Sequence, residues 1–214
     1  MPSAEAVIDL LGALAYGELC AFDRLAYDAR MAPSLSGRAQ MSAMAALEFG
    51  HYEALAQRLG ELGADACTAM GPFVAPLETY HALTAPSSWL EGVVKAYVGD
   101  GIAEDFYREV ATFVDDDTKQ LIDLVLSDTR RAEFAVREVR AAIAAQPALA
   151  GRLALWARRL VGEAISQTQH VLADRDPLML LLIQGTGDLT GVAALLSRIT
   201  QRHEDRMASL GLSS

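Results

Sequence analysis

Four acidic residues stand inside the apolar stripes of four long helical segments, where each must meet a counter-charge once the chain folds. The clearest is Glu48. The spacing predicts a helix over Met41–Leu62 whose inward stripe runs Met41, Met44, Ala45, Glu48, Tyr52, Leu55, Ala56, Leu59 and Leu62. At about 100° per residue these positions share an arc of roughly 120°, with Glu48 near its middle and His51 at its edge. A carboxylate placed there is costly unless something neutralises it.

The other three acids repeat the pattern. A first helix is expected over about Ala4–Arg30, capped by Ser3, with Glu18 in the middle of a stripe that includes Leu11, Leu14, Phe22 and Leu25. Met31–Gly37 reads as a turn. Residues 64–88 carry Gly71, Pro72, Pro76 and Pro86, a long connection with room for a short helix near Pro76–Leu83. A third helix over about Ser88–Phe113 has Asp105 within its stripe, Glu104 turned away from it, and Glu109 as a competitor for the inward position. Asp115–Thr118 makes a turn, and a fourth helix over about Lys119–Ala145 carries Asp128 centrally, with Arg131 at the edge that His51 occupies on the second. Beyond Pro147, helices are expected over about 148–173, 177–184 and 189–209, packed on the first four or on a second subunit. Residues 1–146 are thus a bundle and 147–214 a helical extension of it.

The acids also match in height. Glu18 and Glu48 each lie fifteen residues from Pro33, while Asp105 lies eleven before Asp116 and Asp128 twelve after it. In antiparallel hairpins this sets each pair face to face, within about one residue's rise of ~1.5 Å. Glu48-x-x-His51 on an inward face is half of a carboxylate-bridged di-metal site in a four-helix bundle, and iron or manganese would neutralise converging carboxylates. The same spacing also suits a solvated pair or a core polar cluster.

Composition limits the rivals. Hydrophobic residues make up 52% and aromatics 7%, favouring helices over sheets, and the net charge of −10 repels nucleic acid in the absence of a basic stripe. Cys20 and Cys67 have neither metal nor redox spacing, there is no signal-peptide pattern, and the longest apolar run, Leu178–Ile183, is far short of a membrane span. A cytoplasmic, non-membrane protein is expected, with a homodimer suggested by the apolar C-terminal helices. Glu78-Thr-Tyr-His81 repeats the E-x-x-H spacing, but in the proline-rich connection. His170 and His203 lie on late helices, with charged neighbours around His203. Tyr16, Tyr52, Tyr97 and Tyr107 read as packing residues first, and Tyr52, beside His51, is the best candidate among them to support a site.

On these residues the chain resembles the ferritin-like superfamily of di-iron carboxylate proteins, whose pattern is Glu…Glu-x-x-His…Glu/Asp…Glu-x-x-His. Within it the chain is most similar to the tRNA hydroxylase-like (2-methylthio-isopentenyl-adenosine hydroxylase) branch and its actinobacterial relatives. The resemblance covers roughly residues 4–145 and is carried by Ala46–Glu53, Lys95–Arg108 and Leu126–Val139. It implies an all-α, ferritin-like four-helix bundle, two metal ions (iron or manganese), and oxygen-dependent oxidoreductase or hydroxylase chemistry. By position it implies Glu18, Glu48, His51, Asp105 and Asp128 as ligands. One departure matters: the second Glu-x-x-His is Asp128-x-x-Arg131, and arginine does not ligate a metal. An inward Arg131 would compensate the carboxylates and leave one metal or none. The expectation is therefore a metal-dependent oxidoreductase acting on a small or unknown substrate, with tRNA implied by the resemblance alone. The alternative is a metal-depleted scaffold or binding protein.

Overall fold

The computed structural model describes residues 2–127 and 130–213, and among them every regular element is helical. Helix α1 (Ala4–Asp28) and helix α2 (Leu35–Glu61) form a long antiparallel hairpin. Two short helices follow in the connection, α3 (Ala66–Met70) and α4 (Val74–Leu83). The third long rod is α5 (Trp89–Val94), a π-helical turn over Lys95–Gly99, and α6 (Asp100–Val110). Then come α7 (Asp116–Val125), α8 (Arg130–Ala145), α9 (Leu149–Asp174), α10 (Asp176–Thr186) and α11 (Leu189–Leu210). No single described helix is long and apolar enough to cross a membrane.

Local chemistry sets many of the starts. Ser3, Ser34, Asp65, Ser88, Asp115 and Asp188 each accept a hydrogen bond from the backbone N–H three residues on, at 2.8–3.3 Å. Such caps are worth about 1 kcal/mol each. Ser34 also explains why α2 begins at Leu35 and not at Met41: the cap starts the helix early. Gly37, in its first turn, leaves room for the Trp89 ring, which a Cβ there would approach to 3.2 Å.

Two expectations about the rods are corrected. The third is interrupted by the π-turn, which adds a residue to one turn and rotates everything beyond it by about 100°. The fourth is two helices rather than one. At the end of α7 the Arg108 guanidinium donates to the Leu126 carbonyl at 3.3 Å, and the Ser127 hydroxyl donates to the Leu124 carbonyl at 2.7 Å.

The core divides into two apolar clusters. One holds Leu10, Leu14, Leu55, Phe73, Ile102 and Ile122, and the other holds Leu25, Met41, Val94, Phe134 and Val139. Helices α9–α11 feed both, with Leu178, Leu195 and Ile199 in the first and Leu153, Leu160 and Met207 in the second. Full burial of one such side chain contributes about 1.5–3 kcal/mol. Along each bundle rod the chain passes from one cluster to the other, and a polar group marks the change. These are Glu18 on α1, Glu48 on α2, Asp100 on α6 and Arg131 on α8.

Candidate metal centre

The polar layer is built on α2. Glu48 and His51 are one turn apart on one face, and the His51 Nδ1 lies 3.1 Å from Glu48 Oε2 and 3.4 Å from Glu18 Oε2. One ligand atom from each of the three falls within 4.8 Å of the other two, a spacing that one metal ion can span. Across the layer, the Arg131 guanidinium enters the bundle with its side chain 12% exposed. It donates to Glu48 Oε1 from Nη2, and to Asp100 Oδ2 and Glu104 Oε1, both at 3.1 Å, from Nη1. Glu48 is thus shared between an imidazole on one side and a guanidinium on the other.

Charge in the layer is settled by these contacts. Burial pushes the Glu18 carboxyl well above its ordinary range, and the neighbouring Glu48 adds to the effect while His51 pulls the other way. Burial also opposes ionisation of Glu48, but hydrogen bonds with His51 and Glu18 and the charge of Arg131 outweigh it and bring the group down to about 2. Hydrogen bonds to Glu18 and Glu48 raise His51 to about 9 against the cost of burial. Burial lifts Asp100 to about 7, with Arg131 pulling the other way. Burial works against the charge on Arg131, yet Asp100, Glu48, Glu104 and Glu18 hold it firmly protonated.

The donor set fits one metal ion. Glu18, Glu48 and His51 offer carboxylate and imidazole donors suited to iron or manganese, and an ion bound there would displace the proton that His51 holds. Among the described residues it does not fit two. Where the second imidazole of the di-metal pattern belongs there is a guanidinium already hydrogen-bonded to three carboxylates. Asp128, the acid of that second pattern, lies outside the described residues.

The remaining candidates fall elsewhere. Asp105 is buried, as its stripe requires, but against α11. Its carboxylate, 1% exposed, meets Arg206, Arg108 at 3.3 Å and Arg202 at 3.8 Å. Glu109 joins this group through Arg198 and Arg202, both at 2.7 Å, and these partners hold it below the usual carboxylate range. Glu104, which the stripe turned outward, faces Arg131 instead. The α11 helix covers a second side of the rod, and the π-turn decides which acids meet which cover. Tyr52 packs against Phe49, which packs against Phe22, with ring centroids 5.6 and 5.3 Å apart. Sequence periodicity thus missed Asp100 and Glu104. Their signal was present only in the four-residue spacing of two acids on the helix that follows Gly99.

A cavity of about 220 Å³ adjoins the layer. Glu18, Glu48, Asp100, Glu104 and Arg131 line one part of it, and Leu14, Phe73, Tyr107, Leu178, Leu196 and Ile199 line much of the rest. The walls come from α1, the α3–α4 region, α6, α9, α10 and α11, so the C-terminal helices complete a chamber that the bundle alone leaves open.

Residues 3–185 match the family described as a ferritin-like domain of actinomycetes. Among solved structures, the fold is similar to that of "Protein 19 with aldehyde deformylating oxidase activity" from Synechococcus. The TM-score is 0.74 at 17% identity, covering 99% of this chain and 93% of that one. No curated protein matches the chain by sequence.

Proposed function

Starting from the premise that this chain belongs to the actinomycete ferritin-like domain family, we propose that it is a non-haem metal-dependent oxidoreductase. In this reading its centre holds one iron or manganese ion on Glu18, Glu48 and His51, and its substrate is a small apolar molecule in the adjoining cavity. The observation that carries the reading is the Glu18, Glu48 and His51 cluster, within 4.8 Å, two of whose members, Glu18 and Glu48, line a largely apolar chamber. Such an ion, when bound, supplies redox chemistry with dioxygen. The chain supplies the rest. Arg131 fixes Glu48 in place and carries the positive charge that a second ion would otherwise bring. The apolar walls keep bulk water from the centre. The aldehyde deformylating oxidase activity in the name of the structural neighbour is compatible with a substrate of this kind. A two-metal centre, as the family resemblance implies, would need Arg131 to leave the layer. A tRNA substrate is disfavoured by the net charge of −10.

A second reading is favoured by the same Arg131 contacts. The carboxylates are already compensated without metal, as they would be in a ferritin-like scaffold that binds a ligand but does no redox chemistry.

Elemental analysis of protein produced with iron and manganese supplied separates these readings. About one ion per chain, lost in Glu48→Ala, is expected, and Arg131→His is expected to raise it toward two. About two ions in the unaltered chain would remove Arg131 from its assigned place. None in either protein would leave the scaffold reading.

A further inference from the structure

The second E-x-x-H of the sequence comes apart in the fold. Glu78 turns outward to the Tyr16 hydroxyl at 3.0 Å and to Arg24 at 3.3 Å. His81 turns inward, 8% exposed, and lines the cavity beside Tyr80. The two rings meet edge to face at 5.2 Å between centroids. Neither the Tyr80 hydroxyl nor the His81 Nδ1 has a hydrogen-bond partner among the described residues. The hydroxyl lies over the π-turn, where a Cβ on Gly99 would come within 2.7 Å of it. Gly99 therefore provides the space, and it sits next to Asp100 of the central layer.

A buried polar atom without a partner destabilises the fold, a cost that falls away when a ligand satisfies it. We infer that Tyr80 and His81 are the polar pole of the cavity, binding the uncharged oxygen of a ligand whose apolar chain lies along Leu14, Phe73, Leu196 and Ile199. The inference rests on the reading of this cavity as the substrate chamber. Size allows it, since a dry apolar cavity of about 150 Å³ already accepts benzene. Charge narrows it. Burial, helped by the nearby charge of Lys95, keeps His81 neutral, and the acids of the central layer line the same chamber, so an alcohol or carbonyl suits the pole better than a carboxylate. The hydroxyl of Tyr80 would donate to that oxygen, and the neutral imidazole can donate or accept.

The test is competition of 1-octanol, n-octane and octanoate against the neutral fluorophore N-phenyl-1-naphthylamine, with metal content measured on the same preparations. The unaltered protein is expected to prefer octanol to both others. Tyr80→Phe, which removes one oxygen and leaves the ring, is expected to weaken octanol binding about fivefold to tenfold and to leave octane unchanged. Gly99→Ala, which displaces the hydroxyl, is expected to act in the same direction. Circular dichroism establishes that each variant is folded. Equal octanol binding by the unaltered protein and Tyr80→Phe, a preference for octanoate, or no binding of any probe overturns the inference, whatever the metal content. An octanol preference lost in Tyr80→Phe supports it even in protein that holds no metal, an outcome that would overturn only the metal reading.

Discussion

Two charged layers interrupt the apolar interior, and they are mirror images in their balance. Among the described residues, the central layer sets four carboxylates (Glu18, Glu48, Asp100 and Glu104) against one guanidinium and one imidazole. The layer between α6 and α11 sets two carboxylates (Asp105 and Glu109) against Arg108, Arg198, Arg202 and Arg206. Two histidines register the difference. His51, hydrogen-bonded to acids, is raised to about 9. His203, 3% exposed on α11, is pushed down to about 4 by burial and by the charge of Arg206. Burial of an acid in an apolar stripe therefore does not identify a metal ligand. What identifies one is a shortage of cations in the chain around it. Asp105 has a surplus, so it has no use for an ion. Around Glu18 and Glu48 carboxylates outnumber cations, which is the condition under which the proposed ion would be held.

The contrast can be broken by experiment, most severely at Arg206. Its guanidinium lies flat on α6, where a Cβ on Gly101 would come within 2.5 Å of its Nε, and it is a principal partner of Asp105. Arg206→Leu leaves a buried carboxylate under-compensated and is expected to cost about 3–5 kcal/mol of stability in urea unfolding. Metal content should not change. A loss of metal would instead couple the two layers.

Arg131→Leu is expected to cost less, about 2 kcal/mol in chelated protein, because Asp100, already raised to about 7, can take up a proton in its place. Added manganese should recover part of that loss, since an ion that binds only the folded state stabilises it. A cost as large as that of Arg206→Leu, with no recovery, would place the two layers in the same class.

The smallest effect is the acid response of His203. Its folded-state value lies below its ordinary value of 6.5, so the unfolded chain takes up the proton first. Stability is full above about pH 6.5 and falls as the pH drops toward 4. Urea midpoints of His203→Leu should fall less steeply than those of the unaltered protein over that window. Parallel curves would show that the Arg206 side of the molecule does not hold His203 neutral.

The sequence by itself determined where most of the helices lie and one face of the site. Apolar residues three and four apart, with Ser and Asp at the starts, are local facts, and they place Glu48 and His51 one turn apart on an inward stripe whatever the rest of the chain does. The inward position of Glu18 follows in the same way. Only the tertiary structure decided what covers each face. It packed α11, nearly a hundred residues distant in sequence, against Asp105, and set Asp100 and Glu104 toward Arg131 beyond the π-turn. It also folded α4 back so that His81 faces the chamber while Glu78 does not. Periodicity gives the direction of a side chain about its own helix axis. It carries no information about which neighbour, or which charge, waits in that direction.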